Sequence, residues 1–480
     1  MSEPAERGRS SDLFGRGMIY VLVWSMQMVV ATVVSPVLTR VLPKDQFGGL
    51  AAAIALYQLL ITVALFGLDN AVEMQRVEDS DPSRSRGLVA AGMIMAFGVV
   101  GLCAITSPLW SSALGFPSST GLVLVALLWT APGGAALLTL AMLQAEDRLA
   151  RFATVSLVST VGSQLLGIGL LFLVERTALV YAWGGVIGNT VSLLLGIVWT
   201  RPRPGGLTDR ATIAAGLRLG VPLMLAGVAQ FVLSAGDRFV VQRMLGPEQV
   251  ARYQVAYTVG NVLSLMLAFT TRAWLPRLKS ITSSEQRWEV IAASRDGVYW
   301  LVGWALIGIT VSAPVLLRVF APASYDPASL VAVVLVVGLA ALPVAASGAT
   351  SQVLVTTRQS RPIAIGAAVA AVVKIVLTIA VIGRFGLVGT AAATTVAIAA
   401  QAWVQRVAVQ RALGFRRSSA TSLGFVALAC LVSTASLELP QQGFWLAARF
   451  GFSCLCLAPF FLALRGLQRG TGPLPLLRHP

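Results

Sequence analysis

An all-α polytopic membrane bundle is the fold class this sequence predicts, and three observations predict it. Fourteen stretches are apolar over about the 20 residues that a ~30 Å hydrocarbon core requires at ~1.5 Å per residue. Charged residues make up 12% of the 480 and the mean hydropathy is +0.79, whereas soluble chains carry roughly 25% charge. The sequence also aligns with itself at an offset of 203 residues, polar loops included. An ordinary soluble enzyme is excluded by the charge content, and a disordered chain by the hydropathy.

The apolar stretches run over 17–38, 48–68, 87–107, 120–143, 153–174, 178–199, 219–242, 250–274, 297–320, 329–353, 362–383, 386–409, 420–438 and 443–464. The first is too long for a removable signal peptide, and no small-x-small site follows it. An even number of crossings puts both termini on one side. With the N-terminus inside, 26 of the 36 cations fall in inside loops and tails, eight in outside loops, and Lys374 and Arg449 within spans. Basic residues collect on the cytoplasmic side, so an inner-membrane protein with cytoplasmic ends is expected. Only Lys44, Lys279 and Lys374 are lysines. No compact basic domain stands apart from the apolar segments, so no nucleic-acid partner is expected. The four cysteines lie inside spans, and Cys454 and Cys456, two apart on a helix, form no CxxC pair. They read as soft core residues, and neither metal nor cofactor is expected.

At the 203-residue offset, 39–53 (TRVLPKDQFGGLAAA) meets 242–256 (QRMLGPEQVARYQVA), placing Arg40 on Arg243, Gln46 on Gln249 and Gln27 on Gln230. A second match, 143–153 to 354–364, runs at an offset of 211 and places Ser163 on Lys374. Six spans separate equivalent helices, so both halves cross in the same direction, as parallel repeats related by an axis along the membrane normal do. The expected division is an N-lobe (1–200, helices 1–6), a linker rich in Pro, Gly and Arg (201–218), a C-lobe (219–412, helices 7–12) and a closing segment with helices 13–14 (413–480). Two same-sense six-helix lobes suit a transporter whose substrate sits between them near mid-membrane and whose lobes rock.

The run LGVPLMLAGVAQFVLSAGDRFVVQRMLGPEQVARYQVAYTVGNVL (219–263) resembles the second-lobe start of polysaccharide-repeat flippases, the O-antigen and exopolysaccharide exporters of the multidrug/oligosaccharidyl-lipid/polysaccharide (MOP) superfamily. Pro222, the Asp237–Arg238 pair, the Leu-Gly before an acidic residue, and Tyr253 carry the likeness. SPVLTRVLPKDQFGGLAA and FGLDNAVEMQR are their first-lobe counterparts, and the resemblance covers about the first 410 residues. It implies movement of undecaprenyl-diphosphate-linked oligosaccharide from the inner to the outer leaflet, with no bond made or broken. Membrane lipids and a polysaccharide polymerase or export machinery are the implied partners. Such flippases often carry several cavity cations, and few are found in spans here.

Lys374 lies about 12 residues, or ~18 Å, into its span. A cation at that depth costs at least ~2.5 kcal/mol on insertion scales, so it needs a wet cavity or an acidic partner. In a cavity it would meet a diphosphate or an acidic sugar. Asp237 and Arg238 sit toward the outer end of helix 7. There they serve either as a gate, salt-bridged to Arg243 or the helix 1 loop, or as a site coupling proton or sodium uptake to rocking. Arg272, near the inner end of helix 8, is a candidate to greet the diphosphate. Asp69, followed by Asn70 and Glu73, is its repeat mate with opposite charge, which suggests an ion pair that opens and closes. Gln27, Gln230 and Asn261 offer mid-span amides to sugar hydroxyls or to neighbouring helices, as do Asn189 and Gln164. Arg449 reads as a snorkelling anchor, and His479 as inert.

Two relatives in plan remain as alternatives, an ion-coupled multidrug or cation antiporter and a flippase of the peptidoglycan lipid precursor. Antiporters commonly place an acid in helix 1, and precursor flippases a cluster of arginines there, but residues 18–38 carry no charge. An integral enzyme is disfavoured, because the outer loops are short and no histidine lies within a span.

Overall fold

The computed structural model describes residues 23, 25–27, 29–79, 81–116, 121–267, 281, 283–413 and 418–469. Among these residues there is no strand. The helices are α1 (Ser25–Val41), α2 (Lys44–Ala64), α3 (Leu68–Glu78), α4 (Ser83–Trp110), α5 (Gly121–Ala145), α6 (Leu149–Leu173), α7 (Ala178–Thr200) and α8 (Arg210–Ala235). They continue as α9 (Asp237–Leu245), α10 (Pro247–Gly260), α11 (Ser284–Phe320), α12 (Pro327–Thr356), α13 (Arg361–Leu413), α14 (Ala420–Ala435) and α15 (Phe444–Arg469). Eleven of the described helices are long and apolar enough to cross a membrane. This is the all-α polytopic fold expected.

The helices depart from the expected spans in several places. The expected span 219–242 is divided, since α8 ends at Ala235 and α9 begins at Asp237. The pair 362–383 and 386–409 forms one helix, α13, broken at Gly386 by a φ of 53° that suits glycine. A five-residue π-helical turn, Val158–Gly162, interrupts α6.

The chain forms two compact units, Met1–Phe231 with Gly246–Glu248, and Val232–Leu245 with Gln249–Pro480. Their boundary falls inside α8.

In the first unit, α7 packs through small residues. A Cβ on Gly185 would meet the Trp129 ring at 2.3 Å, one on Gly188 the Ser163 Oγ at 2.2 Å, and one on Gly196 the Thr139 Oγ1 at 2.2 Å. Close approach of small residues is how helices associate where lipid removes the hydrophobic drive between them. Gly67, at φ +70°, lies against the backbone of Gly220 on α8, so a side chain on either would collide with main chain. The stretch 201–218 belongs to this unit; Gly206 meets Gly87 backbone to backbone, and Arg203 N donates to Arg86 O at 3.2 Å.

The second unit centres on α11, which is buried against α12, α14 and α15. Leu263, Val298, Val302, Leu306 and Leu335 form one apolar cluster there, and Trp300 stacks on Phe425 with centroids 4.0 Å apart. Outward positions are apolar too: Ile105, Leu109, Leu173 and Leu455 are 71–84% exposed, as a lipid-facing surface requires.

Candidate functional site: a buried acid–lysine cluster at a helix break

The α8–α9 break determines where the polar groups of the second unit meet. Gly236 is a poor helix former and Asp237 is favoured in a first turn, so the helix is interrupted at Ser-Ala-Gly-Asp. The interruption frees backbone carbonyls at the end of α8 and amides at the start of α9. Lys374, from α13, donates from Nζ to Leu233 O at 2.6 Å, and its Nζ stands 3.0 Å from Asp237 Oδ2. A cation thus sits at a helix C-terminus and a carboxylate at a helix N-terminus, each on the side its helix dipole favours. The two side chains are 1% and 0% exposed.

Residues of α10 complete the cluster. Tyr253 donates its hydroxyl to Asp237 Oδ2 at 2.7 Å, and Gln254 Oε1 accepts from Arg238 Nε at 2.8 Å. Arg238 also donates from Nη1 to Ser234 O at 3.1 Å, and its guanidinium lies 4.9 Å from the centroid of the Tyr257 ring. Among the described residues Asp237 Oδ1 accepts no hydrogen bond, and it faces Arg238 Nη1 at 3.6 Å. One carboxylate is therefore held by an ammonium, a phenol and a guanidinium in a buried setting, where breaking any member leaves charge uncompensated.

This geometry corrects several expectations. Of the two settings expected for Lys374, a wet cavity or an acidic partner, this structure shows the acid, Asp237. Arg243, an expected partner of Asp237, is exposed, whereas Arg238 lies beside Asp237 at the start of α9, its Nη1 3.6 Å from Asp237 Oδ1. Arg449 is buried rather than snorkelling, and it donates to Ser436 O at 2.7 Å and to Leu439 O.

The remaining candidates are dispersed. Gln27 donates from Nε2 to Ser156 Oγ at 2.6 Å, joining α1 to α6 just before the π turn. Gln230 on α8 is exposed, and Asn261 is half-buried at the end of α10. Asn189 bridges α7 to the π turn by donating to Ser159 O at 3.3 Å. Asp69 accepts from Asn70 Nδ2 at 3.2 Å, and Glu73 from Gln144 Nε2 at 3.4 Å. Arg272, the expected counterpart of Asp69, and His479 lie outside the described residues. Among the described residues no cluster of His, Cys, Asp or Glu suits a metal ion. Sequence reasoning missed Gln254 and Tyr257, and it missed the role of Tyr253. Their spacing of one, three and four residues on α10, beside a Gly-Asp interruption, was the available signal.

Many helices long and apolar enough to cross a membrane, small-residue packing and an ion cluster at a discontinuous helix define a polytopic membrane protein. The chain belongs to the polysaccharide biosynthesis protein family, whose profile matches residues 14–282. Among solved structures it is similar to the lipid II flippase MurJ in an inward closed conformation, with a TM-score of 0.71 and 12% identity, over 92% of this chain and 98% of that one. It is also similar to an inward-facing multidrug resistance MATE family transporter of the MOP superfamily (TM-score 0.59, 14% identity, 80% and 95% covered). A mutant of the Vibrio cholerae MATE transporter VcmN is similar as well (0.53, 14%, 84% and 98%). At such identities the likeness shows a shared fold, that of the MOP transporters. No curated relative matches the sequence.

Proposed function

We propose that this protein is a flippase carrying undecaprenyl-diphosphate-linked oligosaccharide from the inner to the outer leaflet of the cytoplasmic membrane, by alternating access and with cytoplasmic termini. The observation that carries this reading is the polysaccharide biosynthesis profile over residues 14–282, on a chain with the MOP transporter fold. The excess of basic residues in alternate loops supports the orientation. Translocation makes and breaks no bond, so the protein is read as a transporter rather than an enzyme. Asp237 and Lys374 hold α8, α9 and α13 together in this conformation, and we assign their pair to the strut that keeps the second unit rigid while it moves. A second reading is favoured by the burial of Asp237, a carboxylate placed to exchange its lysine for a proton or a sodium ion and so couple transport to an ion gradient.

Proteoliposomes containing a short undecaprenyl-diphosphate oligosaccharide test both readings. Protein-dependent exposure of the sugar to an outside lectin is expected, and expected to survive in the neutral pair Asp237→Asn with Lys374→Met. Flipping lost in that folded pair, or present only under an imposed ion gradient, assigns Asp237 to coupling instead. Ion-driven efflux of small cations without glycolipid flipping hands the protein to the antiporter alternative. Flipping confined to the peptidoglycan precursor hands it to that flippase class.

A further inference from the structure

Three helix ends of the first unit gather four arginines around one cavity of about 700 Å³. Arg86 comes from the start of α4, Arg148 and Arg151 from the start of α6, and Arg201 from the end of α7; among the described residues, no acid lines the space. Arg148 is held in place, with Nε 2.8 Å from Glu146 Oε2 and Nη1 donating to Trp199 O at 3.3 Å. Glu146 is shared with Arg76 at 3.4 Å, and Asp81 lies within electrostatic range of Arg86. These carboxylates leave the cavity cationic. Arg86 Nε is buried and has no hydrogen-bond partner among the described residues, while Arg151 extends over the Trp199 ring at 5.9 Å.

A second, independent feature points the same way. Among the described residues no side chain caps α6, its backbone bonding begins with Phe152 N to Arg148 O, and the residues of its first turn line the cavity. Those amides, with the positive end of the helix dipole, suit an oxyanion. A third feature concerns what the anion is attached to. Val191, Leu194 and Val198 are 44%, 58% and 65% exposed and recur at three and four residues on α7. They form one apolar stripe ending at the cavity.

We propose that this cavity binds the phosphate of an anionic glycerophospholipid, with an acyl chain lying along the Val191–Leu194–Val198 stripe. Guanidinium groups match phosphate oxygens in charge and geometry, and basic pockets between crossing helices favour anionic headgroups. The stripe argues for a lipid over a soluble phosphate. This site is separate from the Asp237 cluster and from the transport reading.

The test uses the full-length protein in neutral detergent and monitors thermal unfolding as phosphatidylglycerol, phosphatidylcholine or inorganic diphosphate is added. Arg151→Gln and Arg201→Gly are compared with wild type. Arg201 holds a φ of 49°, so glycine there relieves strain while removing the cation, which separates lost binding from lost folding. Phosphatidylglycerol is expected to raise the unfolding temperature of wild type, with about tenfold weaker apparent affinity in each variant. An equal response from both variants, or an equal response to phosphatidylcholine, overturns the site. Inorganic diphosphate reproducing the whole rise overturns the lipid as its source and leaves a soluble anion.

Discussion

At positions that the sequence self-alignment pairs, the two units of this chain place different chemistry. In the second unit Asp237, Tyr253 and Lys374 form a buried charged cluster. The repeat offsets of 203 and 211 put Val34, Leu50 and Ser163 in their places. Val34 and Leu50 are buried hydrophobics, and Ser163 donates to Ser159 O at 2.7 Å within the π turn of α6. Around these positions the first unit joins its helices with neutral hydrogen bonds, Gln27 to Ser156 and Asn189 to Ser159. Either solution joins helices, but only the charged one makes every partner indispensable. A serine without its partner is satisfied by a backbone carbonyl, whereas a buried lysine or aspartate that loses its partner keeps an uncompensated charge.

The largest expected effect is on the charged side. Lys374→Met strands Asp237 and should cost about 3–5 kcal/mol of stability, read by thermal or denaturant unfolding in detergent. Ser163→Ala at the equivalent position should cost about 1 kcal/mol. Adding Asp237→Asn to Lys374→Met should recover much of the loss, because a neutral pair needs no compensation. A double variant no better than the single would show that the two charges are not energetically coupled. Tyr253→Phe comes next, at roughly 1.5–3 kcal/mol for a hydrogen bond to a charged group. A cost below that of the neutral Gln27 bond would remove the phenol from the cluster.

Much of this was legible in the sequence. Apolar lengths gave the helices long enough to cross, because hydrocarbon thickness and the burial of backbone polar groups constrain any crossing chain. Lys374 and Asp237 each stood out as costly residues. Their pairing did not, for a physical reason: it is made by packing between helices more than a hundred residues apart, which no local pattern encodes. The π turn in α6 was equally hidden, since Val158–Gly162 is an ordinary apolar-polar mixture whose extra residue per turn shows only in the backbone. The four arginines of the first unit were visible only as topology charge, because nothing in their spacing brings three helix ends together.

A smaller effect probes the neutral side of the comparison. Gln27→Leu removes the amide bond between α1 and α6 and should cost about 0.6 kcal/mol, and not above ~1.7, as hydrogen bonds between membrane helices do. A loss on the scale of Lys374→Met would mean that the first unit depends on its polar contacts as strongly as the second.

The smallest effect contrasts two acids at helix starts. Asp237 opens α9 in a buried site, whereas Asp209 precedes α8 in water, accepting from Thr212 N at 3.1 Å and Thr212 Oγ1 at 2.6 Å. The Thr212 hydroxyl and amide hold the Asp209 carboxyl below its ordinary value. A depressed folded value means that the cap's contribution is complete above the unfolded carboxylate range, near ~4, and is lost as pH falls through the folded value. Asp209→Ala should therefore lower the unfolding temperature slightly at pH 7, by an amount unchanged down to about pH 5 and shrinking below ~4. A difference that persists undiminished into strong acid would mean that the cap acts through shape rather than charge. The half-buried and fully buried helix starts would then differ in kind and not only in magnitude.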